Sequence, residues 1–281
     1  MQNFRGRVAV ITGAASGIGF GLAERFASEG MKLVLADVEE RALAEAAQRL
    51  RSAGAELVDI RCDVSRAEDV ERLAAGAVEA FGAVHVVCNN AGVADLSGAS
   101  VWEASLEDWQ WVVGVNFWGV VHGIRTFVPL LLQQDEGYVV NTASGAGLVP
   151  ATLGSYSVAK HAVVALSESL RMQLAAVGAR VGVSVLCPGV VATRIMDAER
   201  NRPGGARSVT STNPSANQVM DRLRHMIPTG TPPSEIAACV VDAMRDERLY
   251  ILPHPEILER VRQRMEDIEA GRPRGELMAA R

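Results

Sequence analysis

The sequence predicts an α/β fold, one domain on a doubly wound parallel β-sheet of about seven strands with helices flanking both faces. Short β-branched runs alternate with longer helical patterns at intervals of about 25 residues, which is how βαβ units recur. With 281 residues, 48% of them hydrophobic, the chain can bury a full core, and no repeat, low-complexity tract or linker divides it.

The strands expected in order are Val8–Ile11, Lys32–Ala36, Ala55–Arg61, Val84–Cys88, Tyr138–Thr142, Val181–Leu186 and Leu249–Leu252. Two helix starts carry capping signals, Ser65-x-x-Glu68 and Ser105-x-x-Asp108. From Thr193 to Ser234 the chain is rich in Pro, Gly, Ser, Thr and Asn, and only 217–226 has a helical pattern. A loop of that length in a compact domain serves as a lid or binding segment. The expected organisation is a domain over 1–270 with its substrate loop at 193–234, then a C-terminal tail at 271–281.

The net charge of -5 and the lack of any basic block argue against nucleic acid and anionic membranes as partners. No apolar run approaches the ~20 residues that span a bilayer, and no signal-peptide pattern precedes Val8, so a cytoplasmic location is expected. Cys62, Cys88, Cys187 and Cys239 show no metal-ligand spacing and are expected as reduced thiols. No metal site is expected.

The first strand runs into Thr12-Gly13-Ala14-Ala15-Ser16-Gly17-Ile18-Gly19, and a helix follows at once. Glycines there let the backbone approach a pyrophosphate, which sits at the helix N-terminus where free N–H groups favour anions. About 20 residues on, Asp37 ends the second strand, where a carboxylate holds adenosine ribose hydroxyls. This is a Rossmann-type dinucleotide signature, with Gly-x3-Gly-x-Gly in place of GxGxxG.

Tyr156 and Lys160 lie one helical turn apart on one face. For a phenol to act as a base near neutral pH its pKa must fall by roughly 3 units from ~10, or about 4 kcal/mol. An exposed i,i+4 pair supplies only about 0.2–0.5 kcal/mol, so burial and further positive charge are required. Asn116 interrupts the apolar helix 112–121, where an unpaired amide would be costly and main-chain groups could satisfy it.

With these motifs in this order, the chain resembles the classical short-chain dehydrogenase/reductase family over nearly its whole length. The resemblance rests on Thr12–Gly19, on Asp63-Val64 after the third strand, and on Asn89-Asn90-Ala91-Gly92 after the fourth. It continues through Asn116, Ser144, Tyr156 and Lys160 to Pro188-Gly189 with Thr193. It implies that Gly13, Ser16, Gly17, Ile18, Gly19, Asp37, Asp63, Val64, Asn90, Ala91, Gly92, Tyr156, Lys160, Pro188, Gly189 and Thr193 border a nicotinamide cofactor. It also implies that Ser144 holds the substrate oxygen, Tyr156 moves the proton, Lys160 lowers the phenol pKa and holds the ribose, and Asn116 orders a water relay.

Asp37, followed by Glu39 and Glu40, favours NAD(H) over NADP(H), with Arg41 the only basic group to soften that preference. The expected substrate is a small-molecule secondary alcohol or ketone with a bulky apolar or aryl group, lined by Val93, Leu96, Leu148, Val149, Leu153, Ile195 and Met196. The alternatives are a polyol, sugar or hydroxy-acyl dehydrogenase on the same site, or a non-catalytic dinucleotide sensor, which would not need Ser144, Tyr156 and Lys160. The arginines of the long loop, Arg194, Arg200, Arg202 and Arg207, are expected to be solvated, His161 is expected as a bystander, and the four tryptophans as packing. The helix near 105–132 is apolar around most of its circumference, so a homotetramer or homodimer is expected.

Overall fold

The computed structural model describes residues 1–95, 97–151, 153–205, 211 and 214–272; the expected contributions of Leu96, Arg207 and most of the tail lie outside them. Seven strands form one parallel sheet: β1 (Val8–Thr12), β2 (Lys32–Asp37), β3 (Leu57–Arg61), β4 (Val86–Asn89), β5 (Gly137–Thr142), β6 (Val181–Leu186) and β7 (Tyr250–Ile251). Their order is β3-β2-β1-β4-β5-β6-β7. The direction of winding reverses between β1 and β4, and ligands of such sheets bind beyond the carboxyl ends of the strands at that point.

Successive side chains of each strand serve opposite faces. Ala9 and Ile11 of β1 join Leu22 and Phe26 of α1 (Gly17–Ser28), Leu43 of α2 (Glu40–Ser52) and Ile236 of α8 (Pro233–Arg245). Val8 and Val10 join Leu73 of α3 (Ala67–Phe81), Phe127 of α5 (Gly119–Leu131) and Leu170 of α6 (Gly154–Ala176). Both faces are therefore covered, which is why the strands are almost unbroken apolar runs.

Some boundaries differ from expectation for local reasons. β3 starts at Leu57 because Ala55 N–H still donates to Leu50 O (3.0 Å) and Gly54 turns left-handed (φ +88°), so the end of α2 claims both residues. The fourth strand lies later than expected and includes Asn89, while the seventh shrinks to two residues. Ser65 does not cap α3: its hydroxyl donates to Asp63 Oδ1 (2.7 Å), and Arg66 is the residue before the helix. The other signal is correct. Ser105 and Asp108 make a reciprocal capping box at the start of α4 (Leu106–Val113).

Between α4 and α5 the helix passes through a π turn, Gly114–Trp118. Trp118 is half exposed there, as are Leu132 just after α5 and Met172 on α6 to a greater degree. The expected irregular stretch is more ordered than its composition suggests. Short 3₁₀ segments cover Ile195–Asn201, with a kink at Asp197, and Pro203–Gly205, α7 covers Pro214–Met226, and α8 begins before the stretch ends. A last helix, α9 (Glu256–Glu269), follows β7. Among the described residues no helix is long and apolar enough to cross a membrane.

Candidate active site

A groove runs across the carboxyl ends of the strands. One half is lined by Gly13, Ser16, Gly17, Ile18, Asp37, Asp63, Val64, Asn90, Ala91 and Gly92. Thr12, the last residue of β1, organises its floor: its hydroxyl donates to Cys88 O (3.2 Å) and accepts from the N–H groups of Asn90 (2.9 Å) and Ala91 (3.1 Å). Asn90 Nδ2 donates to Thr12 O (2.9 Å), so the segments after β1 and β4 are laced together. Gly19 is required where α1 passes over this turn, because a Cβ there would run into the Gly13 carbonyl.

The groove fits a dinucleotide. α1 starts without a side-chain cap and without an acid in its first turn, which leaves its leading N–H groups to an anion. Asp37 accepts from Ala15 N–H and Glu39 N–H, each at 3.0 Å, and burial pushes its carboxyl above the ordinary value against those bonds. Arg41 is not turned toward it; it pairs with Glu45 (2.9 Å).

In the other half, Ser144, Tyr156 and Lys160 converge with Pro188, Gly189 and Thr193. Ser144 follows β5 and opens a short turn in which its Oγ accepts from Ala146 N–H (3.1 Å). Tyr156 lies in the first turn of α6 near Ser144. Burial raises the phenol above its ordinary value, and the nearby Ser144 only partly opposes this. Lys160, almost fully buried one turn on, donates to Thr142 O (2.9 Å) and sits 5.6 Å from the Tyr156 ring centroid. Burial lowers its ammonium to about 8.

Asn116, within the π turn, is fully buried and answered by main chain. Its Oδ1 accepts from Val93 N–H (3.0 Å) and its Nδ2 donates to Val93 O (2.7 Å). The side chain thus fixes the segment after Gly92 against the helix, and a Cβ on Gly92 would come within 2.9 Å of Asn116 Oδ1 and 3.5 Å of Lys160 Nζ.

The apolar end of the groove differs from expectation. Val93, Leu153, Ile195 and Met196 line it, but Leu148 and Val149 do not: Val149 is buried, and Leu148 packs with Val163 and Val185. Trp111, Val115, Ala198, Leu223 and Ile227 line it in their place. Trp111, expected as packing, packs with Val93, Val112 and Ala198 and is also a wall of the cavity, while Trp102 is largely exposed.

Two loop arginines are not solvated. Arg202 is buried against Asp108 (2.5 Å), with its guanidinium 5.4 Å from the Trp111 ring. Asp108 Oδ2 meanwhile accepts from Ser105 N–H (3.0 Å) and Ser105 Oγ (2.7 Å). Arg200 reaches Glu39 (2.6 Å), and Asn201 Nδ2 donates to the same carboxylate (3.0 Å). The Arg200 and Asn201 bonds hold the Glu39 carboxyl below the ordinary range despite partial burial. Arg194 stays at the surface near Asp197 (3.4 Å). His161 faces its own helix, with Nδ1 2.9 Å from Ser157 O. No cluster of three or more possible metal-ligating side chains occurs among the described residues.

A family model described as short chain dehydrogenase matches residues 7–204. Among solved structures, a short chain dehydrogenase/reductase from Burkholderia phymatum in complex with NAD is similar at a TM-score of 0.92 and 48% identity, covering 97% of this chain and 98% of that one. The 1-deoxy-11-beta-hydroxypentalenate dehydrogenase of Streptomyces exfoliatus is 37% identical over 264 residues, 93% of this chain and 88% of its own. The C alpha-dehydrogenase of a Sphingobium species is 35% identical over 262 residues, 92% of this chain and 84% of its own.

Proposed function

The chain belongs to the short-chain dehydrogenase family, and on that premise we propose an NAD-dependent oxidoreductase that interconverts a secondary alcohol and its ketone, with a bulky apolar or aryl group beside the reacting carbon. The observation that carries this reading is the convergence of Ser144, Tyr156 and Lys160 where the dinucleotide groove opens into an apolar cavity.

Ser144 Oγ hydrogen-bonds the substrate oxygen and holds it beside the phenol. Tyr156 takes the hydroxyl proton during oxidation and gives one back during reduction. When bound, the nicotinamide supplies the hydride acceptor or donor and, oxidised, a positive charge beside the phenol. Lys160, anchored on Thr142 O, holds the ribose and adds its own charge to that environment. Gly13, Ser16, Gly17 and Ile18 cradle the pyrophosphate, with Gly19 letting α1 pass close over that turn, Asp37 holds the adenosine ribose, Asp63 and Val64 the adenine, and Pro188, Gly189 and Thr193 the nicotinamide end. Asn116 holds the backbone that frames Lys160.

Preference for NAD(H) follows from charge. Asp37 and Glu39 stand together, Arg41 is engaged with Glu45, and Arg200 is engaged with Glu39, so these basic groups are not offered to a 2′-phosphate. For the substrate, Trp111, Val93, Leu153, Ile195, Met196 and Ile227 offer area without hydrogen bonds, which suits an apolar group and not a polyol. Steady-state assays with NAD on an aryl alkyl carbinol and a polyol of similar size test this. The carbinol is expected to give the higher kcat/KM, and the opposite order would refute the substrate class. The half-exposed apolar side chains around Trp118 and Leu132 fit self-association, expected in light scattering as a mass that is a multiple of 29.9 kDa.

A further inference from the structure

His254 stands outside every motif discussed above, yet it ties three separate segments of the chain together. Both ring nitrogens are engaged. Nδ1 lies 3.0 Å from Gly189 N, while Nε2 lies 3.2 Å from Val190 O and 3.0 Å from Thr231 Oγ1. A backbone N–H can only donate and a backbone carbonyl can only accept, so these partners decide the tautomer. Nδ1 must be bare to receive Gly189 N–H, and Nε2 must carry the proton that is given to Val190 O.

The ring is held close and presented stiffly. A Cβ on Gly189 would come within 3.0 Å of the imidazole, so the glycine admits the ring against the backbone. Pro253 and Pro255 flank His254, restricting the backbone on both sides, and His254 O accepts from Ile257 N–H (3.1 Å) as α9 begins. Val190 O also accepts from Thr231 N–H (3.0 Å), and Ala192 N–H donates to Thr231 O (3.0 Å), so the clamped segment is braced from a second side. Pro188, Gly189 and Val190 all line the groove beside Ser144, Tyr156 and Lys160.

We infer that His254 is a positioning residue for the nicotinamide end of the cofactor: through Gly189 N–H and Val190 O it sets the backbone of 188–190 against which that ring lies. The inference rests on the proposed function, since it takes 188–190 as the nicotinamide wall. His254 touches no reacting atom, and its effect is confined to one end of the groove. The adenosine and pyrophosphate half, built on β1, β2 and β4, does not depend on it.

The test compares NADH with ADP-ribose, which keeps the adenosine and pyrophosphate but lacks nicotinamide, by calorimetric titration of the full chain and its His254→Ala, His254→Asn and His254→Gln variants. In His254→Ala, NADH is expected to bind tenfold or more weakly and ADP-ribose within twofold of wild type. In His254→Asn the side-chain oxygen takes the place of Nδ1 and accepts from Gly189 N–H, so most of the NADH affinity is expected to return. His254→Gln, which mimics the far nitrogen, is expected to recover less. Equal weakening of both ligands, no weakening of either, or an Asn variant no better than Ala would overturn the inference. Wild-type protein that binds neither ligand would overturn the proposed function and this inference with it. Loss in the variants alone, against a wild type that binds both ligands, bears only on His254.

Discussion

The two halves of the groove are built in different ways. The nucleotide half stands on strand ends: Thr12, Asp37 and Asn90 each lie at or just past the last residue of a strand, and their hydrogen bonds join neighbouring strands of one rigid sheet. The apolar half stands on a loop, with Ile195, Met196 and Ala198 held in place by Arg202 on Asp108 and completed by Leu223 of α7 and Ile227 just after it. A site on strand ends inherits its geometry from the fold, whereas a site on a loop depends on a few side-chain pairs. Damage to one half should therefore leave the other largely intact.

The largest effect is expected from Arg202→Met. It removes the cation from a buried ion pair with Asp108, a class of change that costs about 3–5 kcal/mol. Urea unfolding should show a loss on that scale. In the protein that remains folded, the KM for the alcohol should rise while NADH affinity stays within about twofold; equal loss in both would show that the halves are not separable.

Next comes Tyr156→Phe, which removes the proton carrier and keeps the ring. Turnover is expected to fall at least ~100-fold. Because the nucleotide half is untouched, NADH should bind with unchanged affinity, and near-normal turnover in this variant would discard the proton-transfer role.

Asp37→Ser acts on the nucleotide half alone. The charge it removes disfavours a 2′-phosphate about 4 Å away by up to roughly 4 kcal/mol at an effective dielectric near 20. With Glu39 still present, the ratio of kcat/KM for NADP to that for NAD is expected to rise about tenfold, with the order of preference among alcohols unchanged. A changed alcohol preference would count against the division.

The smallest expected effect concerns pH. Burial lowers Lys160 from the unfolded value of 10.5 to about 8, so between those values the unfolded chain binds the proton and the folded chain releases it. Stability rises with pH wherever the unfolded state binds more protons. The unliganded protein should thus gain about 1 kcal/mol between pH 8 and 9.5 relative to Lys160→Met, whose profile lacks this contribution. Parallel profiles would show that the ammonium is not desolvated as its burial indicates.

The same contrast explains what was legible in the sequence. Glycine spacing, the acid at the end of β2, and the Tyr156 and Lys160 pair are local patterns, and local patterns survive in a linear text. The Ser105-x-x-Asp108 signal was legible for the same reason. What it could not disclose is that Asp108 also receives Arg202, because that pairing joins a helix start to a loop 94 residues away and depends on how the loop folds back. Trp111 has the appearance of core in sequence, since a cavity wall and a core face share the same helical periodicity. Leu148 and Val149 failed as pocket residues because the turn after Ser144 carries them beneath the groove, away from it. His254 gave no signal at all: its partners are two main-chain atoms and the hydroxyl of Thr231, 23 residues away, and none of these contacts follows a local pattern.

The pair made by Arg200 and Glu39 joins two distant parts of the sheet. Arg200 belongs to the chain leaving β6 and Glu39 to the chain leaving β2, and in the sheet β1, β4 and β5 lie between those two strands. Both side chains of the latch are about a quarter exposed, within reach of dissolved ions, whereas those of Arg202 and Asp108 are buried. Added salt should therefore loosen the first fastening of the loop while leaving the second in place.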